Sequence, residues 1–310
     1  MATSELTAQE TVKEAMIYSW HEYYEMTKPR VVLLIAFTAM VGMLLSTPGM
    51  VPWQPLLFGM IGISLAAACG AVINHIIDQR IDAVMDRTHL RPFPSGHMDT
   101  SHAIGFALLL GVVSMSILTL LVNPLTAMLT FCALIGYAII YTLFLKRNTP
   151  QNIVWGGLAG AAPPLLGWCA ITGEVTTGAF LLLLIVFVWT PPHFWPLAIH
   201  RRDDYARADI PMLSVTHGID FTKQQVVVYA VMLLAVSLLP FVIHMSGYLY
   251  LAGALLLGGG FIYHALKLLR SDGSDHAMKT FGYSIFYLSM LFTLLLVDHY
   301  LVLLLPGMTA

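Results

Sequence analysis

Charged residues are what this chain of 310 residues has least of: only 10% are Asp, Glu, Lys or Arg, whereas 58% are apolar. Soluble globular domains carry about 25% charged residues, so the composition excludes an ordinary soluble fold. The few basic residues form no stripe of the kind that binds nucleic acid, which excludes that class of partner. Many apolar runs reach the length of about 20 residues that a membrane helix needs. The composition therefore predicts an all-α, polytopic membrane protein.

Cysteine is scarce as well. The three cysteines lie within apolar runs and form neither a CxxC pair nor an even set: Cys69, Cys132 and Cys169. This excludes a disulfide framework and a cysteine metal site, and we interpret them as small buried residues. Residues 1–28 are polar and glutamate-rich, the wrong sign for a cationic signal peptide. We expect them to form a cytoplasmic segment, followed by one intramembrane domain at residues 29–305.

Nine apolar runs of helical length follow one another along the chain. The predicted spans are Val31–Leu45, Leu56–Ile77, Ser101–Val122, Leu125–Leu145, Asn152–Ile171, Ala179–Ile199, Gln225–His244, Leu249–Leu269 and Gly282–Leu304. All fifteen Lys and Arg residues precede the first span or follow the second, fourth, sixth or eighth. By the positive-inside rule, this asymmetry predicts a cytoplasmic N-terminus and an external C-terminus.

The most polar stretch of the chain is Asn74–Pro92, which reads NHIIDQRIDAVMDRTHLRP. Four of its side chains recur at every fourth residue: Asn74, Asp78, Asp82 and Asp86. On an α-helix this spacing places them along one face, where carboxylates repel each other unless cations neutralise them. Magnesium binds one or two carboxylates together with phosphate oxygens, and arginine suits phosphate. The stretch therefore predicts a magnesium and diphosphate site, since a loop that only fixed topology would not need carboxylates in register.

A second acidic stretch, HRRDDYARADIPML, runs from His200 to Leu213 with irregular spacing. One interpretation is a solvated loop whose basic residues lie on the cytoplasmic side, as the positive-inside rule expects. If both stretches lie at the same membrane face, they could instead hold two or more magnesium ions around one diphosphate. Lys146 and Arg147 follow the fourth span on that side, either as topology anchors or as ligands of the diphosphate.

These residues also carry a family resemblance. Asn74-xxx-Asp78-xxx-Asp82, followed by Met85–Thr88 and Arg91-Pro92, resembles the first signature of the UbiA-type intramembrane prenyltransferases. Tyr141–Gly156 resembles the segment after the fourth helix of that family. Trp189–Gly218 most closely resembles the branch of the family that farnesylates haem. Many relatives have a regular DxxxD as the second acidic motif, and this chain departs from it, which leaves open which of these acids bind metal.

The resemblance implies nine helices around a central cavity that opens laterally to lipid, in a bacterial inner membrane, with the active site on the cytoplasmic side. It implies farnesyl diphosphate and haem B as substrates and magnesium (Mg2+) as cofactor. The farnesyl group would be transferred to a haem vinyl group, with addition of water. Candidate protein partners are the enzyme that next modifies the haem and the terminal oxidase.

The resemblance and the spacing together assign roles to individual residues. For catalysis we expect Asn74, Asp78, Asp82, Arg87, Asp203 and Asp204. For metal binding we expect Asn74, Asp78, Asp82, Asp204 and Asp209. For substrate binding we expect Arg91, Lys146, Arg147, His193, Arg201, Arg202 and Tyr205.

His193 stands in PPHFWP, near the cytoplasmic end of the sixth span. An imidazole can ligate or position haem iron, although a single histidine at a helix end is commonly only hydrogen-bonded. We expect His193 to contact haem. We also expect the neighbouring prolines to disturb the helix, as membrane helices tolerate where the backbone is buried or lines a cavity.

Three other functions agree less well with the sequence than haem farnesylation does. Within the same family, the alternative acceptor is an aromatic acid or a quinone precursor, and Trp189–Gly218 argues against it. A transporter would place ionisable residues near the membrane midplane, whereas nearly all acids here fall at one face. A CDP-alcohol phosphotransferase would need a glycine- and arginine-spaced acidic motif, which this sequence lacks.

Overall fold

The computed structural model of this protein describes residues 20–86, 88–96 and 98–304, and their regular secondary structure is entirely helical. The long helices are α1 Pro29–Leu45, α2 Trp53–Asp82, α3 Thr100–Val122, α4 Pro124–Asn148, α5 Asn152–Thr172, α6 Thr177–His200, α7 Ile219–Val242, α8 Tyr248–Arg270 and α9 Ala277–Leu304. Short helices occupy Trp20–Met26, Arg202–Arg207 and Leu213–Thr216. The predicted all-α fold is confirmed.

The helices are long enough to cross a membrane. In the described part of the chain, α2 to α9 are eight such helices, and α1 makes a ninth only together with Trp20–Met26, from which it is bent by 51°. α2 has 30 residues and so extends about 45 Å, beyond a hydrocarbon layer of about 30 Å. It continues to Asp82, five residues past Ile77, where the predicted span ends.

Consecutive helices pack against each other, and α9 packs back onto α1 and α6. The closest approach joins α1 to the second half of α5. A Cβ atom on Gly42 would lie 2.0 Å from the carbonyl oxygen of Pro164, and one on Gly167 would lie 2.0 Å from that of Ala39. Small residues therefore let these two backbones touch, as is common between membrane helices.

Hydrogen bonds from side chains fix several helix ends. Asp99 caps α3 through the amide of Ser101, and Asn123 caps α4 through the amide of Thr126 at 2.8 Å. The carboxylate of Asp298 in α9 accepts the amide of Gly247 at 2.5 Å, at the start of α8. These bonds satisfy amides that have no partner within their own helix.

The cysteines are free, but one prediction about them is wrong. Cys69 and Cys169 are buried as expected, whereas Cys132 is exposed. Cys132 lies in α4, of which only 17% is buried within the bundle. An apolar run does not reveal which of its sides faces lipid, so a cysteine there can be exposed without meeting water.

A shallow apolar cavity of about 430 Å³, largely open at the surface of the bundle, lies between α1, α2 and α3. It is lined by Thr27, Val32, Met60, Ile61, Ser64, Leu65, Ala68 and Leu110. Its α2 residues recur along one helical face, and Ala68, the last of them, precedes Asn74 by six residues, about 9 Å along the helix axis. The cavity therefore lies on the membrane side of the first acidic stretch.

The contact between α1 and α5 gives a prediction about stability. Gly167→Ala should lower the apparent Tm of the detergent-solubilised protein, because the added methyl group meets backbone that cannot rotate away; overpacking of this kind costs about 1–3 kcal/mol. Gly160→Ala is the matched control, since a Cβ atom there meets nothing within 4 Å. Equal Tm values for the two variants would contradict the packing described.

Candidate active site

The first acidic stretch forms a buried cluster at the end of α2. Asn74, Asp78 and Asp82 are all buried on one side of the helix. Asp78 Oδ2 accepts hydrogen bonds from Lys146 Nζ at 2.6 Å and from Asn74 Nδ2 at 2.8 Å. Asn74 Oδ1 in turn accepts from Lys28 Nζ at 2.5 Å. Residues from α4 and from the start of α1 therefore converge on this face of α2.

Asp82 continues the cluster one turn further on. Its Oδ2 accepts a hydrogen bond from Arg91 Nη1 at 2.7 Å, which places Arg91 beside the acids as expected. The helix stops at Asp82, whose carbonyl oxygen accepts a hydrogen bond from Thr88 Oγ1 at 3.0 Å. Asp86 therefore lies outside the helix and is exposed. The prediction that it shares one helical face with Asn74, Asp78 and Asp82 is wrong.

The second acidic stretch meets the first through one arginine. Arg207 Nη2 donates to Asp86 Oδ2 at 2.6 Å and to Asp204 Oδ1 at 2.5 Å. The hydrogen bond and charge of Arg207 lower the pKa of Asp86, and Asp86 raises the pKa of Arg207. Asp204 is buried, and Arg201 Nη1 lies 3.7 Å from its Oδ2. The two stretches therefore lie at the same end of the bundle.

The end of α4 has an unusual local structure. Residues Gly136–Leu145 form a π-helix, and Thr142 within it lies 3.3 Å from Asn74 Nδ2. Asn152, at the start of α5, is buried and donates from Nδ2 to the carbonyl oxygen of Lys146 at 3.3 Å. Arg147 is exposed, with Nη2 3.3 Å from the carbonyl oxygen of Ile77. α4 thus presents Lys146 inward and Arg147 outward.

The other expected residues are more scattered. Asp203 is exposed and lies 3.5 Å from Arg202, whose Nε donates to the carbonyl oxygen of Ser214. Asp209 is exposed in a left-handed turn with φ of 51°, and no contact among the described residues joins it to Asp78. Tyr205 is buried among apolar side chains. Arg87 lies outside the described residues. Through Arg207, the structure brings Asp204 to the first stretch.

His193 is buried within α6. Its ring is stacked between Trp189 and Phe281, with ring centroids at 4.2 and 4.6 Å, and Phe194 contacts it edge-on at 5.4 Å. Its Nδ1 lies 2.7 Å from Ser284 Oγ in α9. α6 continues as one helix through its three prolines, each of which lacks a backbone donor. Packing against α7 and α9 holds the helix where these prolines remove backbone donors.

The carboxylates of the two acidic stretches are candidate ligands for magnesium. Among the described residues, no group of three His, Cys, Asp or Glu side chains could hold a metal ion alone. Asp78 Oδ1 and Asp204 Oδ2, however, are buried oxygens that accept no hydrogen bond from the described residues. Magnesium commonly takes one or two carboxylates and completes its shell with water and phosphate oxygens. These residues therefore fit a magnesium ion that is bound together with a diphosphate, rather than a site built from protein alone.

Sequence reasoning overlooked several residues of the cluster. Four residues that contact Asn74, Lys146 or Asp86 were not among the expected site residues: Lys28, Thr142, Asn152 and Arg207. Arg207 could have been found, since it stands in the second acidic stretch. Lys28 gave a weaker signal as a cation just before the first span.

Comparison with known sequences relates most of the chain to one family. The UbiA prenyltransferase family profile matches residues 35–294. The protoheme IX farnesyltransferase of Thioalkalivibrio sulfidiphilus (strain HL-EbGR7) is 64% identical, over 94% of this chain and 96% of its own length. That of Nitrosococcus oceani is 60% identical, over 94% of this chain and 97% of its own.

Solved structures share the fold at low identity. A digeranylgeranylglyceryl phosphate synthase superposes with a TM-score of 0.76 at 18% identity, covering 90% of this chain and 98% of its own. A UbiA homolog from Archaeoglobus fulgidus bound to DMAPP and Mg2+ superposes with a TM-score of 0.61 at 14% identity, covering 88% and 99%.

The Lys146–Asp78 pair gives a second prediction. Lys146→Met should destabilise the protein by about 3 kcal/mol, because it leaves the buried Asp78 carboxylate without its cation. Adding Asp78→Asn should recover much of this loss, since the charge that needed compensation is removed as well. Thermal unfolding of wild type, both single variants and the double variant measures the coupling. Strictly additive effects would show that the two side chains do not interact.

Proposed function

Because this chain belongs to the UbiA prenyltransferase family, we propose that it transfers the farnesyl group of farnesyl diphosphate to a vinyl group of haem B, with addition of water. The observation that carries the choice of substrates is its 64% identity, over 94% of its length, to a protoheme IX farnesyltransferase. The buried carboxylates and cations at one end of the bundle support the prenyl diphosphate half of the reaction. The chain is an integral membrane prenyltransferase.

The diphosphate is proposed to bind between the two acidic stretches. Asp78, Asp82 and Asp204 would hold magnesium, with Asn74 supporting Asp78 through its amide. Bound magnesium would offset the negative charge of the diphosphate and make it a better leaving group. Lys146 and Arg91 already lie against Asp78 and Asp82, and Lys28 lies against Asn74. The donors of these three cations can turn to the phosphate oxygens. The remaining residues keep their expected roles in this proposal: catalysis for Arg87 and Asp203, metal binding for Asp209, and substrate binding for Arg147, Arg201, Arg202 and Tyr205.

The reaction separates charge at the boundary between water and membrane. The allylic carbon–oxygen bond breaks, and its electron pair leaves with the diphosphate. The farnesyl carbon then bonds to the vinyl group of haem, and the resulting cation takes up water and releases a proton. Donors fixed by buried hydrogen bonds need little reorganisation as charge develops on the leaving group. The surrounding apolar helices exclude bulk water from the farnesyl cation until the acceptor is in place.

The hydrocarbon of the substrate needs an apolar environment beside the acids. The cavity between α1, α2 and α3 provides one, since it is lined almost wholly by apolar groups and its last α2 residue lies about 9 Å from Asn74 along the helix axis. We assign the farnesyl chain to this cavity and the haem to the side of α6, where His193 lies.

The orientation in the membrane follows from the charges. Lys28, Lys146 and Arg207 meet the acidic stretches at one end of the bundle, and the positive-inside rule assigns that end to the cytoplasm. We propose that the active site faces the cytoplasm, with the N-terminal segment inside, the C-terminus outside, and residues 29–305 as one catalytic domain.

The function is tested directly by incubating purified protein with haem B, farnesyl diphosphate and magnesium, and following the pigment by mass. We expect a product heavier by one farnesyl group and one hydroxyl group, since the water loses a proton when it adds. Chelation of magnesium should lower the rate by at least about 100-fold, since stabilisation of the leaving group is lost. Prenylation of an aromatic or quinone precursor, with haem left unmodified, would favour the alternative acceptor.

The roles of the acids are tested by substitution. Asp78→Ala and Asp82→Ala should each abolish turnover while the proteins still insert into the membrane and remain folded, because each loses a buried carboxylate on the metal-facing side of α2. Asp275→Ala is a matched control, being an exposed acid in the connection between α8 and α9. Near-normal product formation by both α2 variants would remove these residues from the catalytic site.

A further inference from the structure

The environment of His193 determines which of its ring nitrogens carries the proton. Ser284 Oγ donates its single hydrogen to the carbonyl oxygen of Phe281 at 2.6 Å. The same oxygen lies 2.7 Å from His193 Nδ1. A hydroxyl has one hydrogen to donate and two lone pairs to accept with. Only one arrangement satisfies both contacts: Nδ1–H donates to Ser284 Oγ, and Ser284 O–H donates to Phe281.

Ser284 is itself held in place by α6. Its carbonyl oxygen accepts a hydrogen bond from Trp189 Nε1 at 2.8 Å, so two hydrogen bonds join this residue of α9 to one turn of α6. Ser284 is fully buried, so no water competes for these bonds. The serine therefore cannot rotate to reverse the hydrogen bond without breaking its bond to Phe281.

The remaining nitrogen is left with a lone pair and a defined direction of approach. Trp189 and Phe281 cover the two faces of the His193 ring, so a ligand can reach the ring only in its plane. The described residues offer Nε2 no hydrogen bond, and 9% of the His193 surface is still exposed. A neutral imidazole whose other nitrogen donates to a fixed partner is the form in which histidine binds metals.

We propose that His193 Nε2 ligates the iron of haem B, and that Ser284 is a positioning residue that locks the imidazole in the tautomer required for ligation. This inference rests on the proposed function, because it takes haem as the acceptor substrate. Ligation fixes the height and tilt of the porphyrin relative to α6, and so restricts which part of its edge can approach the farnesyl cation.

The test is a spectroscopic titration of the full-length protein with ferric haem B. Wild type should give the absorption bands of imidazole-ligated haem. His193→Gly should lose them, and added imidazole should restore them by entering the space left by the ring. His299→Gly is the matched control, since that histidine contacts the carbonyl oxygen of Thr47 instead. A wild-type spectrum and haem affinity in His193→Gly would overturn the proposal.

The role of Ser284 is tested in the same titration. Ser284→Ala should weaken haem binding about 10-fold or more, as removal of such supporting partners commonly does. Ser284→Thr, which keeps the hydroxyl, should retain most of the affinity, and Ser289→Ala controls for loss of a serine from α9. Wild-type affinity in Ser284→Ala would overturn the positioning role.

Turnover measured on the same wild-type preparation separates the two claims. Farnesylated product together with an unchanged His193→Gly spectrum would refute iron ligation and leave the proposed function standing. An imidazole-ligated spectrum that His193→Gly abolishes, with no product formed by wild type, would refute farnesyl transfer and leave ligation standing.

Discussion

The active end of this protein depends on one buried carboxylate. The side chain of Asp78 is almost completely inaccessible to solvent. Its negative charge is stabilised there by hydrogen bonds from Lys146 and Asn74 to one carboxylate oxygen. A buried charge without a partner costs several kcal/mol, so α4 must dock against α2 for the fold to be stable. The second oxygen of Asp78 accepts no hydrogen bond from the part of the chain that the structure describes. In the proposed function this oxygen would bind the metal, so the same residue would link the packing of the helices to the binding of the substrate.

As the proposed diphosphate site, this cluster would reconcile two opposed requirements of prenyl transfer. Magnesium and diphosphate must arrive from water, whereas the farnesyl cation must be kept from water until it meets its acceptor. α2 is longer than the hydrocarbon layer, so its last turns would carry Asp78 and Asp82 to the boundary while its middle lines an apolar cavity. Arg207 then joins Asp86 to Asp204 and brings the end of α6 to the same place. Charge is concentrated at one end of the bundle, and hydrocarbon surrounds the rest.

Much of this could be predicted from the sequence, because apolar runs and a four-residue period are local patterns. They predicted the helices and the shared face of Asn74, Asp78 and Asp82. Contacts between distant residues could not be predicted in this way: Lys28 meets Asn74 across 46 positions, and Lys146 meets Asp78 across 68. The end of α2 before Asp86 and the exposure of Cys132 depend on tertiary packing, which spacing does not encode. The Ser284–His193 contact joins α9 to α6 and is likewise visible only in the fold.

In the proposed site, Asp78 and a metal bind the diphosphate together. The decisive measurement is the affinity for an unreactive farnesyl thiodiphosphate analogue, determined by calorimetry in wild type and Asp78→Asn, each with magnesium and with a chelator. We expect tight binding only for wild type with magnesium, and weak, metal-independent binding for the variant. Equal affinities in all four measurements would contradict it.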